Sequence, residues 1–228
     1  MWILKNSKDL LEYIQSRSLS SCNNIKTFYF SILYTTIPQS KLRDKLRELV
    51  ELSFIKKNGQ RRYTYLLLGR NRSYCVKYHS DFTKKISETD IFNLFEILID
   101  NLFAMFGGRV FQQRVDIPMG TNCALLADLF LYSYEADFIQ GLLKKNDKKL
   151  VRSFNFTFRY IDDVLSLNNS RFGDFVDRIY PSELEIKDTT DTDRSASYLD
   201  LHLEIDCEDR LRTKRSFQCS HCELSIYM

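Results

Sequence analysis

The chain has 228 residues, 44% hydrophobic and 14% aromatic, a content that excludes a disordered protein and suffices for one or two packed cores. Lys and Arg number 33 against 30 Asp and Glu, a formal net charge of +3, so no global field marks the chain for a polyanionic partner. Scattered cysteines, with neither a secretory leader nor an 18-residue apolar span, give the expectation of a reduced, intracellular protein that has no membrane partner; nucleus and cytoplasm are not distinguished.

In chain order, residues 1–23 are expected to form an N-terminal helical segment. The stretch from Lys26 to Leu33 then alternates Phe28, Phe30 and Ile32 with Thr27, Tyr29 and Ser31, which predicts a strand with one core face and one open face. Pro38 can start a helix with Leu42, Leu46, Leu49 and Leu52 or Ser53 on its apolar side. Asn58-Gly59 marks a turn before a strand at Tyr63–Leu68, with Arg72–Tyr78 as its partner. Ser87-Glu88-Thr89-Asp90 resembles a capping sequence opening a helix with Ile91, Leu94, Phe95, Leu98 and Leu102 as its stripe, stopped by Gly107-Gly108.

A short strand, Arg109–Val115, leads through Ile117-Pro118-Met119-Gly120-Thr121-Asn122 into a long helix. Its stripe is Leu126, Phe130, Tyr134, Phe138 and Leu142 at i, i+4 spacing. No repeat or low-complexity linker interrupts the chain, which reads as one α+β unit with a basic helical insertion. The basic runs are Lys56-Lys57 with Arg61-Arg62, Lys84-Lys85, and Lys144-Lys145 with Lys148-Lys149 and Arg152; taken singly, each is also an ordinary solvated surface.

The most informative stretch is Tyr160-Ile161-Asp162-Asp163. Phe154 to Tyr160 alternates aromatic and polar residues as a half-buried strand, and Val164–Leu167 is the return strand. Two adjacent carboxylates near the hairpin tip repel each other unless cations neutralise them. The turn is thus either a metal-holding site or a solvated turn that keeps the hairpin soluble, and local pattern does not choose. Cys219-Ser220-His221-Cys222 with Cys207 can be drawn as a zinc site, but no second close pair answers the first.

These motifs, taken in order, resemble the palm and fingers of reverse transcriptases over roughly residues 20 to 212. Phe28 to Pro38 is similar to the first palm motif, Ile117 to Ala124 to the second, and Tyr160 to Asp163 to the third. Ser197-Tyr198-Leu199-Asp200-Leu201 looks like the later palm hairpin. The wording is closest to Penelope-like retroelements, relatives of telomerase. The resemblance implies an α+β right-hand palm, with a ferredoxin-like antiparallel sheet and helices on one face, at 24–214. A partial fingers insertion falls at about 39–112, a thumb is expected to be missing, and an unmatched tail covers 215–228.

The implied activity is RNA-directed DNA synthesis, in which two Mg²⁺ ions about 4 Å apart activate a primer hydroxyl and stabilise the leaving oxygens. RNA template, DNA primer and deoxynucleotides are the implied partners. By resemblance Asp162 is the principal ligand of the third motif, Asp163 the accessory carboxylate and Tyr34 an aromatic steric gate. Gly120 would permit close backbone approach to nucleotide or template, and Arg70 or Arg72 would bind triphosphate.

Three departures qualify the expectation. Tyr29 stands where the family places the first-motif Asp, so a neutral phenol replaces a metal ligand. Asp116 stands where the family has Gly, and a Pro expected between Ala124 and Leu125 is absent. After about Lys214 the chain loses its match. The sequence therefore predicts a degenerate, partial copy with impaired polymerase activity; a non-catalytic module binding RNA or RNA/DNA hybrid, or an expressed remnant without function, is the alternative.

Overall fold

The computed structural model describes residues 2–16, 19, 21–55, 63–68, 73–76, 85–101, 103–112, 117 and 123–215. Elements run in order β1 (Trp2–Ile3), α1 (Ser7–Ser16), β2 (Ile25–Ser31), α2 (Leu33–Thr36), α3 (Gln39–Ser53), β3 (Tyr65–Leu68), β4 (Ser73–Val76) and β5 (Lys85–Ser87). There follow α4 (Glu88–Asp100), β6 (Phe103–Phe106), β7 (Arg109–Gln112), α5 (Cys123–Lys144), α6 (Lys148–Ser153), β8 (Thr157–Tyr160) and β9 (Asp163–Leu167). The last are α7 (Val176–Ile179), β10 (Glu185–Asp188), β11 (Ser195–Tyr198), β12 (Leu201–Ile205) and β13 (Leu211–Arg215). Two compact units divide the chain: Met1–Ser31 with Phe138–Met228, and Ile32–Asp137.

In the first unit a five-stranded sheet has the order β1-β8-β9-β2-β10. All neighbours are antiparallel except β1, which runs parallel to β8 and adds an edge strand to a segment expected to be helical only. Cross-strand register decides which residues share a face. Phe158, Leu165, Ile25 and Leu167 share one, where α1 and the β11-β12-β13 sheet cover them with Leu10, Ala196, Tyr198, Leu201 and Leu203. The opposite face carries an aromatic cluster. Phe28 meets Phe172 at 5.0 Å between ring centres, Phe30 meets Tyr180 at 4.9 Å, and Phe154 meets Phe138 at 5.4 Å. These spacings are those of favourable edge and tilted aromatic pairs.

Two strand ends differ from expectation for local reasons. Strand β2 stops at Ser31, because Ile32 adopts the left-handed region at φ 50° and starts α2. Ile32 is therefore exposed rather than core. The alternation at 154–160 is likewise broken: residues 154–156 form a turn, so Phe154 joins the aromatic cluster while Phe156 and Phe158 pack on the other face.

In the second unit α3 follows Pro38, with Leu42, Leu46 and Val50 as its buried line; Val50 replaces Leu49 at the i+8 position and Leu52 is exposed. The capping sequence of α4 is realised, since Ser87 accepts from the Asp90 amide and Asp90 accepts from the Ser87 amide. Its expected stripe is realised only at Ile91 and Phe95, which are half-buried. Ile99 is buried because its side of α4 packs towards α3, where Glu96 and Asp100 also pair with Arg43, whereas Leu94 and Leu98 are exposed. Leu102 lies outside the described residues.

Helix α4 ends at Asp100, before Gly107-Gly108. Those glycines, at φ 57° and 72°, instead make the two-residue turn of the β6-β7 hairpin, a geometry in which both turn residues need positive φ. Strands β3, β4 and β5 form a separate sheet in the order β4-β3-β5, and β4 covers Ser73–Val76 of the expected 72–78. Helix α5 begins in this unit and ends in the other; Leu126, Phe130 and Leu142 of its stripe are buried, with Tyr134 and Phe138 half-buried. The Asn58-Gly59 turn and the tail after Arg215 lie outside the described residues. Among the described residues no helix is long and apolar enough to cross a membrane.

Candidate active site

Strands β8, β9, β2 and β10 carry a row of side chains on one face, near the end of the sheet. Tyr160 is the register partner of Asp163, Asp163 of Tyr29, and Tyr29 of Lys187. The period of two that buries Phe28 and Phe30 on the other face leaves Tyr29 here, 37% exposed and therefore open to solvent. Two residues further along, the Ser31 hydroxyl donates to Glu185 at 2.7 Å, and Lys187 pairs with Glu185 at 3.3 Å.

The two carboxylates occupy different positions. Asp162 sits in the two-residue turn with Ile161, while Asp163 is the first residue of β9. Ile161 is left-handed at φ 52°, a conformation unfavourable for a β-branched side chain. Two hydrogen bonds hold the turn. The Phe30 amide donates to the main-chain oxygen of Asp162 at 2.9 Å, and Arg159 donates from Nη1 to the main-chain oxygen of Ile161 at 3.1 Å. The Arg159 side chain is wholly buried.

Electrostatics follow the geometry. The negative charge of Asp162, helped by burial, raises the Tyr29 phenol above its ordinary 10. Burial first, and the charge of Asp162 second, push the Asp163 carboxyl up to about 6. Behind it, Tyr198 is raised well beyond 10 by burial, and its hydroxyl donates to the main-chain oxygen of Asp163 at 3.4 Å.

The structure thus brings Tyr29, Asp162 and Asp163 together. Tyr34 is half-buried in α2, in the other compact unit, where its main-chain oxygen accepts from the Ile117 amide at 2.8 Å. Gly120, Arg70, Arg72 and Asp116 lie outside the described residues, as do Cys219, His221 and Cys222 of the zinc pattern. Among the described residues no group of three His, Cys, Asp or Glu side chains is placed to hold a metal ion. The sequence reading missed Arg159, Glu185 and Lys187. Glu185-Ile186-Lys187 does carry a strand's alternation, and Arg159 is a lone charge in an otherwise uncharged run from Ser153 to Ile161, signals that point to these positions.

No family model matches the chain, and no curated protein matches it. Solved structures do. Telomerase from Candida albicans, in complex with the TWJ fragment of telomeric RNA, matches with a TM-score of 0.58 at 15% identity, over 93% of this chain and 35% of that one. Apo telomerase from Candida tropicalis matches with a TM-score of 0.57 at 13% identity, over 93% of this chain and 37% of that one. A form of the same telomerase truncated from its C-terminal domain gives 0.55 at 12% identity, over 93% and 40%. The chain therefore spans less than half the length of the telomerases it matches. At such identities the likeness is one of fold: the chain shares an α+β fold with the part of these telomerases that it matches.

Proposed function

We propose that this chain is a reverse transcriptase domain of the Penelope-like retroelement kind whose nucleotidyl transfer is impaired. The supporting observation is Tyr29, directly across from Asp163 and near enough to Asp162 for that carboxylate's charge to raise its phenol. A site for two hard divalent cations takes carboxylates from two elements. This chain offers the carboxylates of Asp162 and Asp163 from one hairpin and a neutral phenol from the facing strand. The donor set does not fit the two-ion site of the family. Losing one such carboxylate removes several kcal/mol of transition-state stabilisation, on the order of a thousandfold or more in rate.

Primer extension on an RNA template with Mg²⁺ or Mn²⁺ tests the proposal. The unaltered chain is expected to extend no primer above the level of Asp162→Ala, and Tyr29→Asp to raise extension above it. Robust synthesis by the unaltered chain that is lost in Asp162→Ala would overturn the impairment. A Tyr29→Asp protein as silent as its parent would show that Tyr29 is not its sole cause.

A second reading is RNA or RNA/DNA hybrid binding without catalysis. It draws on the Lys56-Lys57 and Arg61-Arg62 runs and on the RNA-bound state of the matching Candida albicans telomerase. Phosphate contacts make such affinity fall steeply with salt. Filter binding that found no salt-sensitive affinity for either ligand would remove this reading.

A further inference from the structure

Ile161 presents a physical problem, because a β-branched residue in the left-handed region costs about 1–2 kcal/mol and persists only where its surroundings over-determine it. One of the two bonds that hold the turn comes from across the sheet, where the Phe30 amide meets the Asp162 carbonyl. The other comes from within β8, where Arg159 reaches forward two residues to the Ile161 carbonyl. Arg159 is among the largest side chains in the chain with no solvent exposure. A buried guanidinium makes strong charge-assisted hydrogen bonds, and its planar fork fixes direction as well as distance.

We infer that Arg159 is a positioning residue: through the Ile161 carbonyl it sets the turn that delivers Asp162 to the β2 strand. The register makes this specific. Arg159 and Val164 share the face opposite to Tyr160, Asp163 and Tyr29, so Arg159 acts from behind the site and touches none of its carboxylates through the bond it makes to the turn. Moving the Ile161 carbonyl shifts the next peptide, whose oxygen receives the Phe30 amide. The Phe30 N–H is therefore a reporter of where the turn sits. This role deepens the proposed polymerase reading, but its readout does not depend on nucleotide chemistry.

Residue-resolved amide hydrogen exchange on the full chain tests the inference, read as the rate at Phe30 relative to the other amides of the β2-β9 ladder. A general loss of stability accelerates the whole ladder together, whereas a displaced turn frees Phe30 selectively. Arg159→Met is expected to raise the relative rate about tenfold, the scale of one hydrogen bond to a charged group. Arg159→Lys, which keeps a donor but loses the fork, is expected to raise it about threefold. Uniform acceleration, or an unchanged Phe30, overturns the inference. If Arg159→Met does not fold, the ratio in Arg159→Lys decides alone. Absence of primer extension would leave this result untouched, so the two failures are distinguishable.

Discussion

Asp163 and Asp162 are neighbours in sequence yet differ in setting. Burial and the charge of Asp162 raise Asp163 to about 6, whereas an unfolded aspartate ionises near 3.8. The folded chain therefore holds this proton more tightly than the unfolded chain. The resulting stabilisation is fully present below pH 3.8 and is lost as pH rises through 6. Asp163→Asn is expected to flatten that part of the stability profile and to raise stability at pH 7 by about 1 kcal/mol, discounted for a partly solvated carboxyl. Urea unfolding at a series of pH values checks both. At this scale the sequence showed the two carboxylates and the opposing Tyr29, because alternation along β2 assigns faces. It did not show Arg159, Glu185 and Lys187, whose roles depend on which strands become neighbours.

Helix α4 shows what local chemistry can and cannot decide. Its start was legible, because the capping box needs only Ser87 and Asp90, three residues apart. Ser87→Ala is expected to cost about 1 kcal/mol in thermal unfolding, through the loss of one accepted amide bond. Its end was not legible, since a Gly-Gly pair suits both a helix stop and a hairpin turn. The choice was made by pairing between Phe103–Phe106 and Arg109–Gln112, a contact that exists only once both strands form. The buried side was also hidden: which side of α4 packs on α3, the side of Glu96, Ile99 and Asp100, depends on a helix some fifty residues earlier. In the β12-β13 hairpin, the Asp206 carboxylate accepts from the Glu208 and Arg210 amides and from the Arg210 and Arg212 side chains, which holds it far below the usual carboxylate range. Asp206→Ala is expected to accelerate amide exchange at Glu208 and Arg210 while leaving β2 protected.

Across the whole molecule, the α+β class was legible because aromatic and aliphatic residues recur at the spacing of their elements. The strand order was not, for β1 and β10 reach the sheet through partners 156 and 154 residues distant, as Trp2↔Phe158 and Glu185↔Ser31 show. Phe158, fully buried between β1 and β9 and packed against α1, is central to that arrangement. Phe158→Ala is expected to destabilise the chain by about 3–5 kcal/mol, measured by chemical denaturation. Strand β2 has a different significance for the history of such a chain. Tyr29 faces the Asp162-Asp163 turn while its neighbours Phe28 and Phe30 face the aromatic core, so a change at this one position alters the polar end of the sheet without touching that core. A lineage can exchange that single letter while selection on folding sees little change.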